Sequence, residues 1–213
     1  MSEFEGTIDD LYQPGWDAIE SECKRVYRGK KAYDQFVSII KWRFGGNDPI
    51  DAVKVYDSGD YWHFVTFGMT ELYRKEFKNK DVSGYGMEFT FKLKKGTSED
   101  RDYNEMRCAV KNLQTIARVT FSSGEIFLPY EYLYTGQTIG IDYNHQSSLT
   151  GFITVPDDKF RNLDTENGRM QFVEFIGVTD RELRALLNKE LNVKSLFQKL
   201  GSDVTDYNRK SVI

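Results

Sequence analysis

YWHFVTFGMTELY, from Tyr61 to Tyr73, and SGYGMEFTFKL, from Ser83 to Leu93, are the two stretches that decide how this chain folds. In the second, Met87, Phe89, Phe91 and Leu93 point one way while Glu88, Thr90, Lys92 and Lys94 point the other. A period of two belongs to a β-strand, here with one buried face and one wetter face. On this reading Phe89 is intolerant of charge, and Lys92 can be changed at little cost. In the first stretch Tyr61, His63, Val65 and Phe67 share one face and Trp62, Phe64 and Thr66 the other, so both faces are largely apolar. Such a strand is covered on both sides and sits at the centre of a sheet. The loop from Met69 to Gly84, with its polar run of Lys and Asn, joins the pair at one end.

Outward from this pair, Pro14 stands where a first-turn proline belongs. Trp16, Ile19, Cys23 and Val26 or Tyr27 follow at helical steps, predicting an amphipathic helix to about Arg28. Phe36 to Arg43 reads as a strand, stopped by the turn residues Gly45-Gly46-Asn47-Asp48-Pro49. Val53 and Val55 carry another, linked by Asp57-Ser58-Gly59-Asp60 into the central strand. Beyond Lys94, Tyr103, Met106, Val110, Leu113 and Ala117 have helical spacing, with Gly124 near the stop. Ile126–Leu128, Ile139–Tyr143 and Phe152–Val155 suggest short strands or edge hairpins, and 161–169 a loop. Phe172–Val178 is apolar on both faces apart from Glu174. Thr179 and Glu182 have capping-box spacing ahead of Leu183, Leu186 and Leu187. Val193, Leu196, Phe197 and Leu200 mark a last helix ended by Gly201, and Val212 and Ile213 a terminal strand. Grouped strands with helices before, between and after them predict an α+β fold: a mixed, mostly antiparallel central sheet packed with helices. With no repeat or linker, residues 1–213 read as one domain, its core at about 10–211.

The chain has 213 residues, a formal charge of −4, 15% aromatic and 39% apolar residues. That composition excludes wholesale disorder and supports a sizeable core. A mildly acidic chain without a basic stripe is poorly suited to nucleic acid, whose phosphates demand cations. No apolar run approaches the length of a membrane span, and the acidic N-terminus is unlike a secretory signal. Two cysteines, Cys23 and Cys108, both on expected helices, make no disulfide framework and fit a cytoplasmic protein with buried thiols.

Chemistry-bearing motifs are scarce. His63 and His145 are the two histidines; His63, inside an aromatic strand, reads as a core imidazole. No spaced His/Cys set predicts a metal, and no cofactor is expected. Gly84-Tyr85-Gly86 opens a strand rather than a helix, so it cannot cradle phosphate. A carboxylate-rich metal or acid/base site at Asp48, Asp51, Asp57 and Asp60, close to His63, is conceivable, as is a small hydrolase using Asp48, Asp57, Asp60 and His63, but Asp48 and Asp60 suit turns better. What remains is aromatic and acidic surface: Asp57, Asp60 and Tyr61 at one sheet-end turn, Glu71 and Tyr73 at the other. These are residue types that anchor protein interfaces. The acidic stretch Glu3–Asp10 is a further candidate.

Several blocks carry a resemblance. PGWDAIE (Pro14–Glu20), GGNDPIDAVKVYD (Gly45–Asp57), the two central stretches, LQTIARVTFSSGEIF (Leu113–Phe127), FVEFIGVTDREL (Phe172–Leu183) and VTDYNRKS (Val204–Ser211) resemble the Suppressor of fused family, in order and over nearly the whole chain. The resemblance implies a non-enzymatic, protein-binding α/β domain. Animal members hold a transcription factor in the cytoplasm, and a second domain helps clamp the partner; this chain resembles the N-terminal domain. Bacterial relatives are often short, and many resemble immunity proteins that neutralise polymorphic toxins, commonly nucleases. The expectation is a cytoplasmic immunity or antitoxin protein with a cognate toxin as partner, no direct nucleic acid and no membrane. A signalling interaction module is the alternative, and a small hydrolase the third reading.

Overall fold

The computed structural model of the chain describes residues 12–74 and 81–213. Among them, eight strands form one sheet: β1 Asp34–Val37, β2 Ala52–Asp57, β3 Tyr61–Phe67, β4 Val82–Lys94, β5 Tyr132–Leu133, β6 Leu149–Pro156, β7 Leu163–Thr165 and β8 Gly168–Thr179. Their order is β1-β2-β3-β4-β8-β6-β5, with β7 also on β8. Only β4 and β8 pair in parallel; the other pairs are antiparallel. The mixed, mostly antiparallel α+β sheet expected from the periodicity is the one that forms, with β3 and β4 inside its order.

Four helices complete the described chain: α1 Pro14–Val26, α2 Glu99–Ser123, α3 Asp180–Leu187 and α4 Val193–Leu200. Their ends obey local chemistry. Gly124 closes α2 in the left-handed region. The capping box of α3 forms as its spacing demands, Thr179 and Glu182 each satisfying the other's backbone amide. Asn192 caps α4 and Gly201 ends it. None of these helices is long and apolar enough to cross a membrane.

α2 covers one face of the sheet. Its Met106, Ala109, Leu113 and Ile116 bury against Val55, Phe64, Phe89, Phe91 and Phe175. The opposite face is divided. α1 packs Ile19 and Cys23 on Tyr56, Val65, Phe67 and Phe172, whereas α3 and α4 pack on Ile153, Val155, Ile176 and Val178. Between the two apolar compartments runs a polar strip from β3, β4 and β8.

That strip corrects the reading of β4. Glu88, Thr90 and Lys92, expected on a wetter face, are fully buried. Non-helical chain supplies their partners: the amides of Gly68 and Thr70 bond Glu88, Asp157 accepts from Thr90, and Asp158 and Asp203 accept from Lys92. Periodicity locates a face but does not say what covers it. Other boundaries also moved. Phe36–Arg43 is not one strand; β1 stops at Val37 and a 3-10 turn, Trp42–Phe44, follows. Ile126–Leu128 and Ile139–Tyr143 form no ladder, and 161–169 holds β7 rather than a plain loop. The C-terminal residues add no strand; Arg209 and the Val212 amide bond Glu182 instead, tying the tail to α3. The Lys–Asn turn within 75–80 lies outside the described residues.

Candidate functional site

β3 places His63 on the divided face, where it is wholly buried. Its Nδ1 meets the Tyr27 hydroxyl at 2.6 Å and its Nε2 meets Asp157 Oδ2 at 2.9 Å. Burial pushes the imidazole below its ordinary value, against the pull of Asp157. A neutral ring therefore accepts from Tyr27 and donates to the carboxylate. Asp157 is saturated in turn: Thr90 donates at 2.7 Å to Oδ2, and the amides of Lys159 and Phe160 donate to Oδ1. Burial raises the Asp157 carboxyl, but His63, Lys92 and Thr90 outweigh it and hold it well below the usual range. Tyrosine, histidine and aspartate in series resemble a proton relay, yet each is spent on its neighbour.

Beside this group Lys92 forms the centre of an ion cluster. Its ammonium donates to Asp158 at 2.5 Å, Glu174 at 2.9 Å and Asp203 at 2.5 Å. Burial would lower its pKa, but the surrounding carboxylates raise it above the ordinary lysine value. Among the described residues, Asp157, Asp158 and Glu174 are the one carboxylate group close enough to share a metal ion, their oxygens within 4.8 Å of one another. Lys92 already supplies a positive charge there. Sequence reading missed this cluster because its acids come from chain after β6, from β8 and from beyond α4. The one available signal was Glu174, a charge inside an otherwise apolar strand.

The conceivable aspartate cluster does not assemble around His63. Asp48 pairs with Arg118, Asp51 accepts from Tyr73, and Asp57 pairs with Lys95. Asp60 is exposed in the β2–β3 turn. Neither thiol is reactive: burial raises Cys23 to about 12 and Cys108 to about 11, and both are free.

The candidate interface residues fall into two groups at opposite ends of β3. Asp57, Asp60 and Tyr61 stand together at its start, Asp60 and Tyr61 lining a cavity of about 500 Å³ with Lys94, Leu200 and Arg209. Glu71 and Tyr73 follow its end and are half-buried. Tyr73 donates to Asp51 at 2.8 Å and accepts from Lys41. The carbonyls of Glu71 and Tyr73 both accept from Asn167. Glu3–Asp10 lies outside the described residues.

The comparisons with known proteins agree with this architecture. Solved structures share the fold. Drosophila Suppressor of Fused superposes with a TM-score of 0.80 at 24% identity, over 95% of this chain and 52% of that one. A chain of the Sufu–Fu complex crystal structure gives 0.79, also at 24%, over 94% and 93%. Suppressor of fused homologs of Homo sapiens and Mus musculus are each 29% identical over 184 residues, or 80% of this chain. The chain spans 37% of the length of these curated relatives. The family model described as Suppressor of fused protein (SUFU) matches residues 46–210, most of the chain, and the chain therefore belongs to the Suppressor of fused family.

Proposed function

We propose that this chain is a non-enzymatic, cytoplasmic protein-binding domain, and that it serves as a bacterial immunity or antitoxin protein neutralising a cognate nuclease-type toxin. One observation carries the first half: the clustered ionisable groups His63, Asp157, Lys92 and Glu174 are buried and engaged with one another, while acids and aromatics stand at the surface. Catalysis needs its proton-transfer groups within reach of a substrate. Family membership supports the same reading, since one structure with this fold is that of the Sufu–Fu complex.

The toxin reading rests on the acidic tilt of the chain and on the Asp57–Tyr61 turn. A nuclease presents a basic groove for phosphates, and carboxylates backed by an aromatic can fill it. Asp57, Asp60 and Tyr61 would make this contact. Glu71 and Tyr73, at the far end of β3, would meet the partner only if it reached around the sheet. Co-expression should protect a host from one cognate toxin and from few others. Protection against no nuclease toxin encoded beside this gene would overturn the reading.

An interaction module in signalling is the second reading, favoured by the identity shared with the human and mouse homologs. Affinity capture from the native cell separates the two. A toxin or its carrier among the captured proteins supports the first, and a transcription factor or kinase the second.

A further inference from the structure

At the opposite end of β2 from Asp57, a groove of about 400 Å³ runs between the end of β1 and α2. Its apolar lining includes Val37, Ile39 and Val110, and its cations are Arg107, Lys111 and Arg118. These three recur on one stripe of α2, as residues four and seven apart do. Arg118 is paired with Asp48. Arg107 and Lys111 are exposed and make no ion pair among the described residues.

At the rim of the groove Ile39 is fully exposed, Ile40 more than half exposed and Trp42 nearly half. This protrusion is held in shape from within. Phe44 and Gly46 donate their amides to the Lys41 carbonyl at 2.9 and 3.2 Å, and Trp42 packs edge-on against Phe121 at 5.0 Å. Gln114 on α2 clasps both the amide and the carbonyl of Ile50. A Cβ on Gly46 would fall 1.9 Å from the Ile40 carbonyl oxygen, so only glycine closes the loop this tightly. The backbone beneath this apolar surface is thus braced before any partner arrives. β1 is also the last strand on its side of the sheet. The Ser38 amide bonds Asp51 at 3.0 Å, so by the antiparallel alternation the amide and carbonyl of Val37 face away from β2.

We propose that this groove is a second interaction surface, which binds a polypeptide segment carrying carboxylates beside bulky apolar side chains. The carboxylates meet Arg107 and Lys111, and the apolar groups cover Val37, Ile39 and Ile40. Charge complementarity chooses the occupant, and concavity favours a peptide over a flat lipid surface.

The test is selection of short random peptides displayed on phage against the immobilised full chain. Parallel selections use the Arg107→Glu/Lys111→Glu and Ile39→Ser/Ile40→Ser variants. Enriched peptides should place Asp or Glu next to Leu, Ile, Phe or Trp. Their synthetic forms, followed by fluorescence anisotropy, should bind each double variant about tenfold more weakly than the parent, since interfacial charges and apolar anchors each carry affinity of that order. Both variants should melt like the parent. Enrichment of peptides without acids, equal binding to the variants, or no enrichment above a blank surface would overturn the proposal. So would sedimentation with phosphatidylserine vesicles, abolished by the charge reversals, when no peptide is selected; that outcome assigns the face to a membrane.

Discussion

Lys92 Nζ and Glu174 Oε2 lie 2.9 Å apart on the adjacent parallel strands β4 and β8, their side chains 1% and 0% exposed. Lys92 offsets three carboxylates there, so its loss leaves the buried Glu174 without its counter-charge and facing Asp158 and Asp203. Lys92→Glu should therefore destabilise the domain by at least about 3–5 kcal/mol, the scale for breaking a buried pair. Urea denaturation measures this, and a midpoint equal to the parent's would refute the cluster. Phe89→Asp, on the other face of the same strand among the rings of Phe127 and Phe175, should also cost several kcal/mol, for want of any partner.

Stability should fall with acid in two stages. Burial holds the folded His63 below the ordinary value of 6.5, so the unfolded ring takes a proton first, and the contribution is full above 6.5 and declines below it. Burial raises Glu22, but hydrogen bonds from Arg25 and Arg161 hold it at about 2; its contribution is full above 4.5 and is lost as pH falls toward 2. His63→Gln should flatten the first stage and spare the second, whatever it does to stability overall. An unchanged slope through the first stage would mean that another group titrates there.

Gly15→Ala should destabilise the packing of α1. The added Cβ would fall 2.0 Å from the Glu71 carbonyl oxygen, where the Gly15 amide bonds Leu72 at 3.1 Å. Overpacking of this kind costs roughly 1–3 kcal/mol. Thermal unfolding reads it, and a variant as stable as the parent would mean that α1 sits further from the chain after β3.

Asp57→Lys with Asp60→Lys should leave the fold intact, because Asp57 is half-exposed and Asp60 exposed, and a pair of the Asp57–Lys95 kind is worth about 1 kcal/mol or less. Association with a basic partner should slow by about tenfold or more and lose its salt dependence. Stopped-flow mixing with the cognate toxin measures both. Unchanged rates would move the interface elsewhere.

Much of the sheet was legible because alternation is local. Tyr61–Phe67 fell where the pattern put it, and so did the α3 capping box. The polar seam was hidden because its members meet only through long-range pairing. Lys92 shows the difficulty: its exposure depends on Asp158, Asp203 and Thr205, none of them near it in sequence. Polarity in an alternating strand distinguishes the two faces; whether the polar face meets water or other charges is decided elsewhere. The candidate interface suffered in the opposite way. Its two turns are close in sequence, but a strand in between holds them at opposite ends.

The parallel pairing of β4 with β8 also governs the order in which the domain can be made. β1 to β4 form an antiparallel meander that can assemble from the first part of the chain alone. Its β4 edge, with Phe89 and Phe91 on one side and Lys92 on the other, stays unpaired until Gly168–Thr179 has been synthesised. Closing so long a loop is slow, and meanwhile an open apolar edge invites pairing with a neighbouring chain. The topology thus predicts a period of exposure to aggregation for the nascent protein, which should end when β8 docks.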